Sequence, residues 1–196
     1  MACTCEVTAP DADADLVQAL AHDLERSFER VVIAYRAEVV SFVARMLRDD
    51  ARAEDVAQDV FVRAYRALQT YPVQRRAALR LRSWLFAIAH NLTRNAFRDA
   101  PPASDSLEYD DGAARPLLDG RPGPEQLVLR SEAWGYVDDA VARLSPALRA
   151  AFVLRYVDEL SYDEIAETLD QPIGTVKASA HRGLLAVRAY LEKHDD

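Results

Sequence analysis

Cysteine is nearly missing from this 196-residue chain, occurring only at Cys3 and Cys5. Two cysteines so close together cannot staple a fold, so no disulfide framework is implied. The pair could supply half of a metal site or a redox switch, but no other cysteine and no nearby histidine completes a ligand set. No apolar run approaches the roughly 20 residues needed to cross a bilayer. Met1 to Asp15 carries four acids and no base ahead of any apolar stretch, the reverse of a secretory signal. A cytoplasmic location is expected. Signatures of catalysis are missing as well: there is no Gly-rich phosphate loop, metal cluster or nucleophile motif. His22, His90, His181 and His194 are scattered. Neither enzyme activity nor a cofactor is expected.

What is present is a globular composition, half hydrophobic and 29% charged, of a length that suits one medium domain or two small ones. The net charge of −8 argues against nucleic-acid binding until it is mapped. Met1 to Arg26 holds six acids and one base, and Asp99 to Glu125 seven acids and two bases. Arg75 to Arg98 holds six arginines and no acid, and Gln171 to Lys193 four Lys/Arg against one acid. Phosphates respond to the local field rather than to the total, so an acidic chain with two basic segments can still bind DNA.

Helical periodicity dominates and strand alternation is absent, which predicts an all-α fold. From Phe28, apolar residues recur at steps of three and four through Val31, Tyr35, Val39, Phe42 and Met46, an amphipathic helix with a buried stripe. Leu16, Leu20 and Leu24 extend that stripe backwards. A turn at Arg48-Asp49-Asp50 precedes a second helix from near Ala53 to about Tyr71, broken by Pro72. After an arginine-rich loop, Ser83 is placed to cap a third helix that buries Trp84, Leu85, Ile88, Ala89 and Leu92. The expected organisation is an acidic N-terminal extension over 1–27, a helical domain over 28–99, a flexible acidic linker over 100–125 and a second helical domain over 126–196. The linker reading rests on five prolines, three glycines and seven acids between Asp99 and Glu125, too little apolar surface to offset ordering.

The second domain begins with Trp134, Val137, Val141 and Leu144 on one face, then a helix from Ser145-Pro146 using Leu148, Ala151, Phe152 and Arg155. Ser161-Tyr-Asp-Glu164 fits a capping box. A tight Asp170-Gln-Pro-Ile-Gly174 turn follows, and Thr175 can cap the last helix. Together these make a helix-turn-helix. Placing residues 100° apart puts Val176, Ala180, Leu184, Val187 and Leu191 inward, with Lys177, Ala178, His181, Arg182 and Arg188 outward. Such a face can enter the major groove, although a basic face near a helix C-terminus also simply complements the dipole. In the first domain, Arg75, Arg76, Arg80, Arg82, Arg94 and Arg98 flank Trp84, Phe86, His90, Asn91 and Asn95. Cations, aromatics and amides together suit unstacked single-stranded DNA. Trp84 reads first as a core residue, whereas the arginine cluster, lacking any neutralising acid of its own, reads as functional.

Three segments carry a family resemblance. They are Ala53-Glu-Asp-Val-Ala-Gln-Asp-Val-Phe-Val-Arg-Ala-Tyr65, Ser83-Trp-Leu-Phe-Ala-Ile-Ala-His-Asn91, and Leu160-Ser-Tyr-Asp-Glu-Ile-Ala-Glu-Thr-Leu169 with Pro172-Ile-Gly-Thr-Val-Lys177. In this order they resemble the extracytoplasmic-function (ECF) sigma factors of bacterial RNA polymerase, over about residues 28–193. The resemblance implies an alternative sigma factor that binds core polymerase, recognises promoter DNA and promotes its melting. It implies that Asp55, Gln58, Asp59, Phe61 and Arg63 grip the coiled coil of the largest (beta-prime) subunit. Arg80, Arg82, Trp84, Asn91, Arg94 and Arg98 would serve the minus-ten element, Asn91 helping to capture a flipped base. Thr175, Lys177, Ser179, His181, Arg182 and Arg188 would serve the minus-thirty-five element. An anti-sigma protein is the implied regulator, and the linker would thread the polymerase near the RNA exit path. Ala178-Ser179 stands where the family often has Ser-Arg, and Asp170 where glycine is usual. The competing reading is a helix-turn-helix regulator that binds duplex DNA unaided, which leaves the basic aromatic segment and the acidic linker unexplained.

Overall fold

The computed structural model describes residues 10–99 and 135–193, and every regular element among them is a helix. Cys3, Cys5, the linker expected over 100–125, Trp134 and His194 lie outside the described residues.

Helix α1 (Pro10–His22) opens on a proline, which suits a first turn, and buries Leu16, Val17 and Leu20. The apolar stripe expected to run on into the next helix is interrupted at Asp23. That residue is extended (φ −142°) and its carboxylate accepts the Arg26 N–H at 3.2 Å, capping α2 (Leu24–Leu47). A side chain that satisfies an orphan donor of a new helix ends the old one. Helix α2 buries Val31, Tyr35, Val39, Phe42, Val43 and Met46 and stops at Arg48, which is left-handed (φ 58°). Asp49 caps α3 (Asp50–Thr70) through Arg52 N–H at 3.1 Å.

Where a loop was expected, Pro72 starts a single turn, α4 (Val73–Ala77). Helix α5 (Leu81–Asp99) begins two residues before Ser83. Ser83 is therefore not its cap: the serine sits inside the first turn, its hydroxyl donating to the Arg80 carbonyl at 3.2 Å. Phe86 is core, meeting Phe42 edge-to-face at 5.3 Å between ring centres.

In the second half, α6 (residues 135–143) and α7 (Pro146–Phe152) lead into a π-type turn over Val153–Val157. Helix α8 (Tyr162–Leu169) carries the expected capping box, with Glu164 N–H donating to Ser161 Oγ and Ser161 N–H donating to Glu164 Oε2 at 2.8 Å. Asp170 is left-handed (φ 52°), and the N–H of Gln171 reaches back to the Ala166 carbonyl at 3.0 Å, a Schellman closure that frees the chain to turn. Helix α9 (Ile173–Leu191) starts after Pro172, so Thr175 is no cap; its N–H already bonds the Pro172 carbonyl at 2.9 Å. Gly183 lets α9 approach α7: a Cβ there would lie 3.1 Å from that of Phe152.

The two halves pack on each other, α5 against α8 and α2 against α7 and the π-type turn. Phe42→Ala should cost about 3–5 kcal/mol of stability through the cavity it leaves beside Phe86. Ile33→Ala, on the 74% exposed Ile33 of the same helix, should cost less than about 0.5 kcal/mol. Urea denaturation midpoints of the two variants check this ordering.

Candidate nucleic-acid interface

Three surfaces collect the residues singled out above. The first is the outward face of α3. Asp55, Gln58 and Val62 fall at steps of three and four, and with Asp59 and Arg63 they are exposed. Asp55, Gln58, Phe61 and Val62 line a groove of about 440 Å³, closed on its other side by Phe28, Val32 and Arg36 of α2. Phe61 is only 7% exposed, so it forms the groove's floor rather than its rim. Phe28 and Tyr65 meet edge-to-face at 5.1 Å at one end, and Arg36 reaches Glu54 at 2.9 Å across the helices. The groove is apolar below and charged at its lip, a shape suited to a helical partner.

The second surface runs along α4 and α5. Trp84 is half-buried, tilted against Tyr71 at 6.1 Å, so it divides its ring between core and surface. Arg75 lies over the Tyr71 ring at 3.8 Å, and Arg76 donates to the Leu20 carbonyl at 3.1 Å. Asn91 and Arg94 are exposed about two and three turns further on; the side chain of Arg98 lies outside the described residues. His90 keeps a buried Nδ1 with no partner, and burial, then the Arg94 charge, holds its pKa below the ordinary value. The imidazole is neutral near pH 7.

The arginine cluster has no acid within its own segment, yet the fold supplies acids from elsewhere. Arg82 donates to Glu38 Oε2 at 3.0 Å and to the Asp158 carbonyl at 2.7 Å. Arg80 donates to Glu167 Oε1 at 2.8 Å, with Glu164 Oε1 3.5 Å away. Burial opposes ionisation of Glu164, but hydrogen bonds from Ser161 and the charges of Arg80 and Arg82 outweigh it and hold its pKa below the ordinary value.

The third surface is α9. Thr175, Lys177, Ala178, His181, Arg182 and Arg188 are exposed on one side, as the 100° spacing requires. Ser179 corrects the expectation. It is 5% exposed, because it lies three residues from Val176 and four from Gly183 on the inward stripe, and it cannot read a groove from there. Lys177 sits 5.6 Å from the Tyr162 ring centre, which anchors it beside α8.

Sequence reasoning missed the polar links between the halves. Arg149, 5% exposed, donates to the carbonyls of Val141, Ala142 and Leu144 at the end of α6 and to that of Met46 at the end of α2, at 2.6–3.1 Å. A cation among helix C-terminal carbonyls satisfies orphan acceptors and the negative dipole end together. Arg45 pairs with Asp138 at 3.0 Å and also bonds Ser41 Oγ. The one available signal was register: Arg149 falls on the inward side of α7, three residues before Phe152.

Asp158, next to the Arg82 contact, is 5% exposed with an unpartnered Oδ2. Burial pushes its pKa up to about 7; Arg45 and Arg82 offset this in part, and Glu38 adds to it. Because the folded pKa lies above the ordinary 3.8, the folded state holds this proton more tightly than the unfolded state. Stability from this group therefore falls as pH rises from about 4 to about 7 and levels off above. Asp158→Asn should gain at least about 1 kcal/mol relative to wild type between pH 5 and pH 8, read from urea unfolding at both pH values. A constant difference would contradict this account.

Comparison with known proteins follows the same division. The sigma-70 region 2 family model matches residues 31–101, and the sigma-70 region 4 model matches residues 134–187. The RNA polymerase sigma-H factor of Pseudomonas aeruginosa is 31% identical over 189 residues, covering 93% of this chain and 95% of that protein. The ECF RNA polymerase sigma factor SigW of Bacillus subtilis is 33% identical over 175 residues, covering 84% and 89%. The ECF sigma-E factor of Escherichia coli is 33% identical over 180 residues, covering 89% and 92%. In fold, the chain is similar to CnrH solved with the cytosolic domain of CnrY (TM-score 0.65, 22% identity, 93% of this chain and 99% of that one). It is also similar to RpoE of Bartonella quintana solved with the anti-sigma factor NepR (TM-score 0.67, 20% identity, 85% and 98%).

Proposed function

The chain belongs to the extracytoplasmic-function sigma factors of bacterial RNA polymerase, and from that membership we propose how its surfaces divide the work of promoter recognition. It is an alternative sigma factor, which joins core polymerase, recognises promoter DNA and promotes its melting so that transcription can start. The observation that carries this is the match to region 2 followed by region 4, in order, along nearly the whole chain. A regulator acting alone on duplex DNA would need only the second of these.

The α3 groove is the docking site for core polymerase. Asp55, Gln58, Asp59 and Arg63 offer polar contacts around an apolar floor at Phe61, which suits a helix of the beta-prime coiled coil. The α4–α5 surface serves the minus-ten element. Arg94 and Arg98 track the strand, Asn91 holds an unstacked base by its edge, and the open part of Trp84 offers a stacking plane, with Arg80 and Arg82 at its upstream end. The outward face of α9 enters the major groove at the minus-thirty-five element. Lys177, His181, Arg182 and Arg188 reach guanine edges and phosphates, Thr175 approaches the backbone, and Ala178 permits close contact. Residues 28–99 and 126–196 are the two working domains, with 100–125 as the tether. No helix among the described residues is long and apolar enough to cross a membrane, and the working location is the cytoplasm, where the polymerase is. The chain itself carries out no catalysis. An anti-sigma protein, like the one in the NepR complex, holds it in check.

Run-off transcription with purified core polymerase on a promoter library from the source genome tests this division. The wild type should direct specific transcripts. Asp55→Ala/Gln58→Ala should weaken polymerase binding at least about tenfold, a loss of about 1.4 kcal/mol. Asn91→Ala should bind polymerase normally yet lose transcripts. Lys177→Ala/Arg182→Ala should lower promoter affinity and reduce the salt slope by about 2. Tight duplex binding by the free chain, with no polymerase binding and no transcripts, would sink the assignment.

A further inference from the structure

The first cation on the outward face of α9 is held from outside its own helix. The Lys177 ammonium lies 5.6 Å from the centre of the Tyr162 ring on α8, and the Arg155 guanidinium lies 4.8 Å from the centre of the same ring. Among the described residues Lys177 forms no ion pair. Arg182, further along the face, bonds back to its own helix at the Ala178 carbonyl, at 3.3 Å.

The ring is itself fixed by its neighbours. Tyr162 is the first residue of α8, directly after Ser161, whose capping box with Glu164 sets that first turn. Arg155 Nη1 donates to the Leu160 carbonyl at 2.8 Å, so the guanidinium against the ring is tied to the chain two residues before it. The hydroxyls of Tyr156 and Tyr162 share a hydrogen bond. The Tyr156 ring in turn packs on Phe152 at 5.1 Å, and Phe152 is buried against α9 at Gly183. The π-type turn over Val153–Val157 thus delivers two side chains, Arg155 and Tyr156, that hold one ring.

We propose that Tyr162 is a positioning residue for promoter recognition: its π face holds the Lys177 ammonium so that the lysine meets one base edge of the minus-thirty-five element from a preset direction. The proposal rests on reading the outward face of α9 as the minus-thirty-five reader. An aromatic face carries negative charge density and attracts a cation within about 6 Å of its centre. A lysine stem loses its rotamer freedom when a base fixes it, and a stem already held loses less. A carboxylate could hold the lysine too, but it would neutralise the cation and be repelled by the DNA phosphates. A ring holds the lysine and leaves its charge intact. Arg155 is half-buried and Lys177 exposed, so the repulsion between the two cations keeps the ammonium on the outer side. Ala178, next along the face, is too short to compete for the lysine.

The test uses holoenzyme assembled from core polymerase and the full-length chain. Competition binding is measured on the promoter and on duplexes carrying each single base-pair change in the minus-thirty-five element. Lys177→Ala should lower discrimination at least about fivefold at one position or two adjacent ones. Tyr162→Leu keeps apolar bulk but removes the ring. It should lower discrimination at those same positions about threefold, the scale of an exposed cation–π contact, and leave the others unchanged. Tyr162→Phe keeps the ring and should retain the wild-type preference. Tyr162→Leu/Lys177→Ala should discriminate as Lys177→Ala does, because a ring with no cation to aim adds nothing. Pentafluorophenylalanine placed at position 162 keeps the ring's outline and reverses its quadrupole. It should behave as Tyr162→Leu does, and it replaces leucine as the test if far-UV circular dichroism shows that leucine disturbs the fold. A ring-removal effect spread evenly over every duplex, or one that adds in full to that of Lys177→Ala, overturns the proposal and leaves the assignment of α9 standing. Lys177→Ala with unchanged preference at every position overturns the reading of Lys177 as a base contact, and the proposal with it.

Discussion

The arrangement of this molecule hangs on a buried guanidinium. Among the described residues Arg149 has no carboxylate partner; it is held by four backbone carbonyls contributed by the ends of α6 and α2. Helix C-termini leave such acceptors unsatisfied and carry partial negative charge. A single planar fork answers both needs in two helices from opposite ends of the chain. Because its cost when broken is that of an unpaired buried charge, the contact specifies one mutual placement of the halves. The exposed pairs at Arg80 and Arg82 could not do this alone.

The same economy governs the other arginines. A chain with net charge −8 keeps two basic segments, and the fold decides which of their cations face outward. On α9 the cations point to solvent; Lys177 meets the Tyr162 ring and Arg182 the Ala178 carbonyl. At the start of α5, Arg82 and Arg80 are neutralised by acids 44 and 87 residues distant. At Arg80 and Arg82 the cationic charge serves internal packing, and the acidic excess of the chain supplies the partners. Asp158 sits among these charges, between Arg45, Arg82 and Glu38, with burial holding its proton.

Much of the fold was legible. The helices of the first half, the capping box at Ser161, the left-handed Asp170 and the outward cations of α9 all follow from local spacing. Local chemistry failed at three helix starts. Asp23 ended a stripe that periodicity carried through, Pro172 took the role assigned to Thr175, and the chain entered α5 before reaching Ser83. At Asp23 a side chain satisfied a donor of the new helix; at α5 and α9 the helix simply began two residues before the expected cap. Ser179 was misplaced for a different reason: motif spacing was followed where helix register pointed inward.

Sequence by itself determined that the chain is helical, where its basic and acidic segments lie, and which helix presents a row of cations outward, because these depend on neighbours within one or two turns. It could not determine that the arginine-rich segment is neutralised, that Arg149 is buried among carbonyls, or that α8 lies across the face of α5. Those facts depend on residues 44 to 103 positions apart being brought within hydrogen-bond distance. No local period encodes such pairings; they are set by how two apolar faces fit. Only the tertiary structure could decide that the basic surface at the start of α5 is met by the chain's own second half.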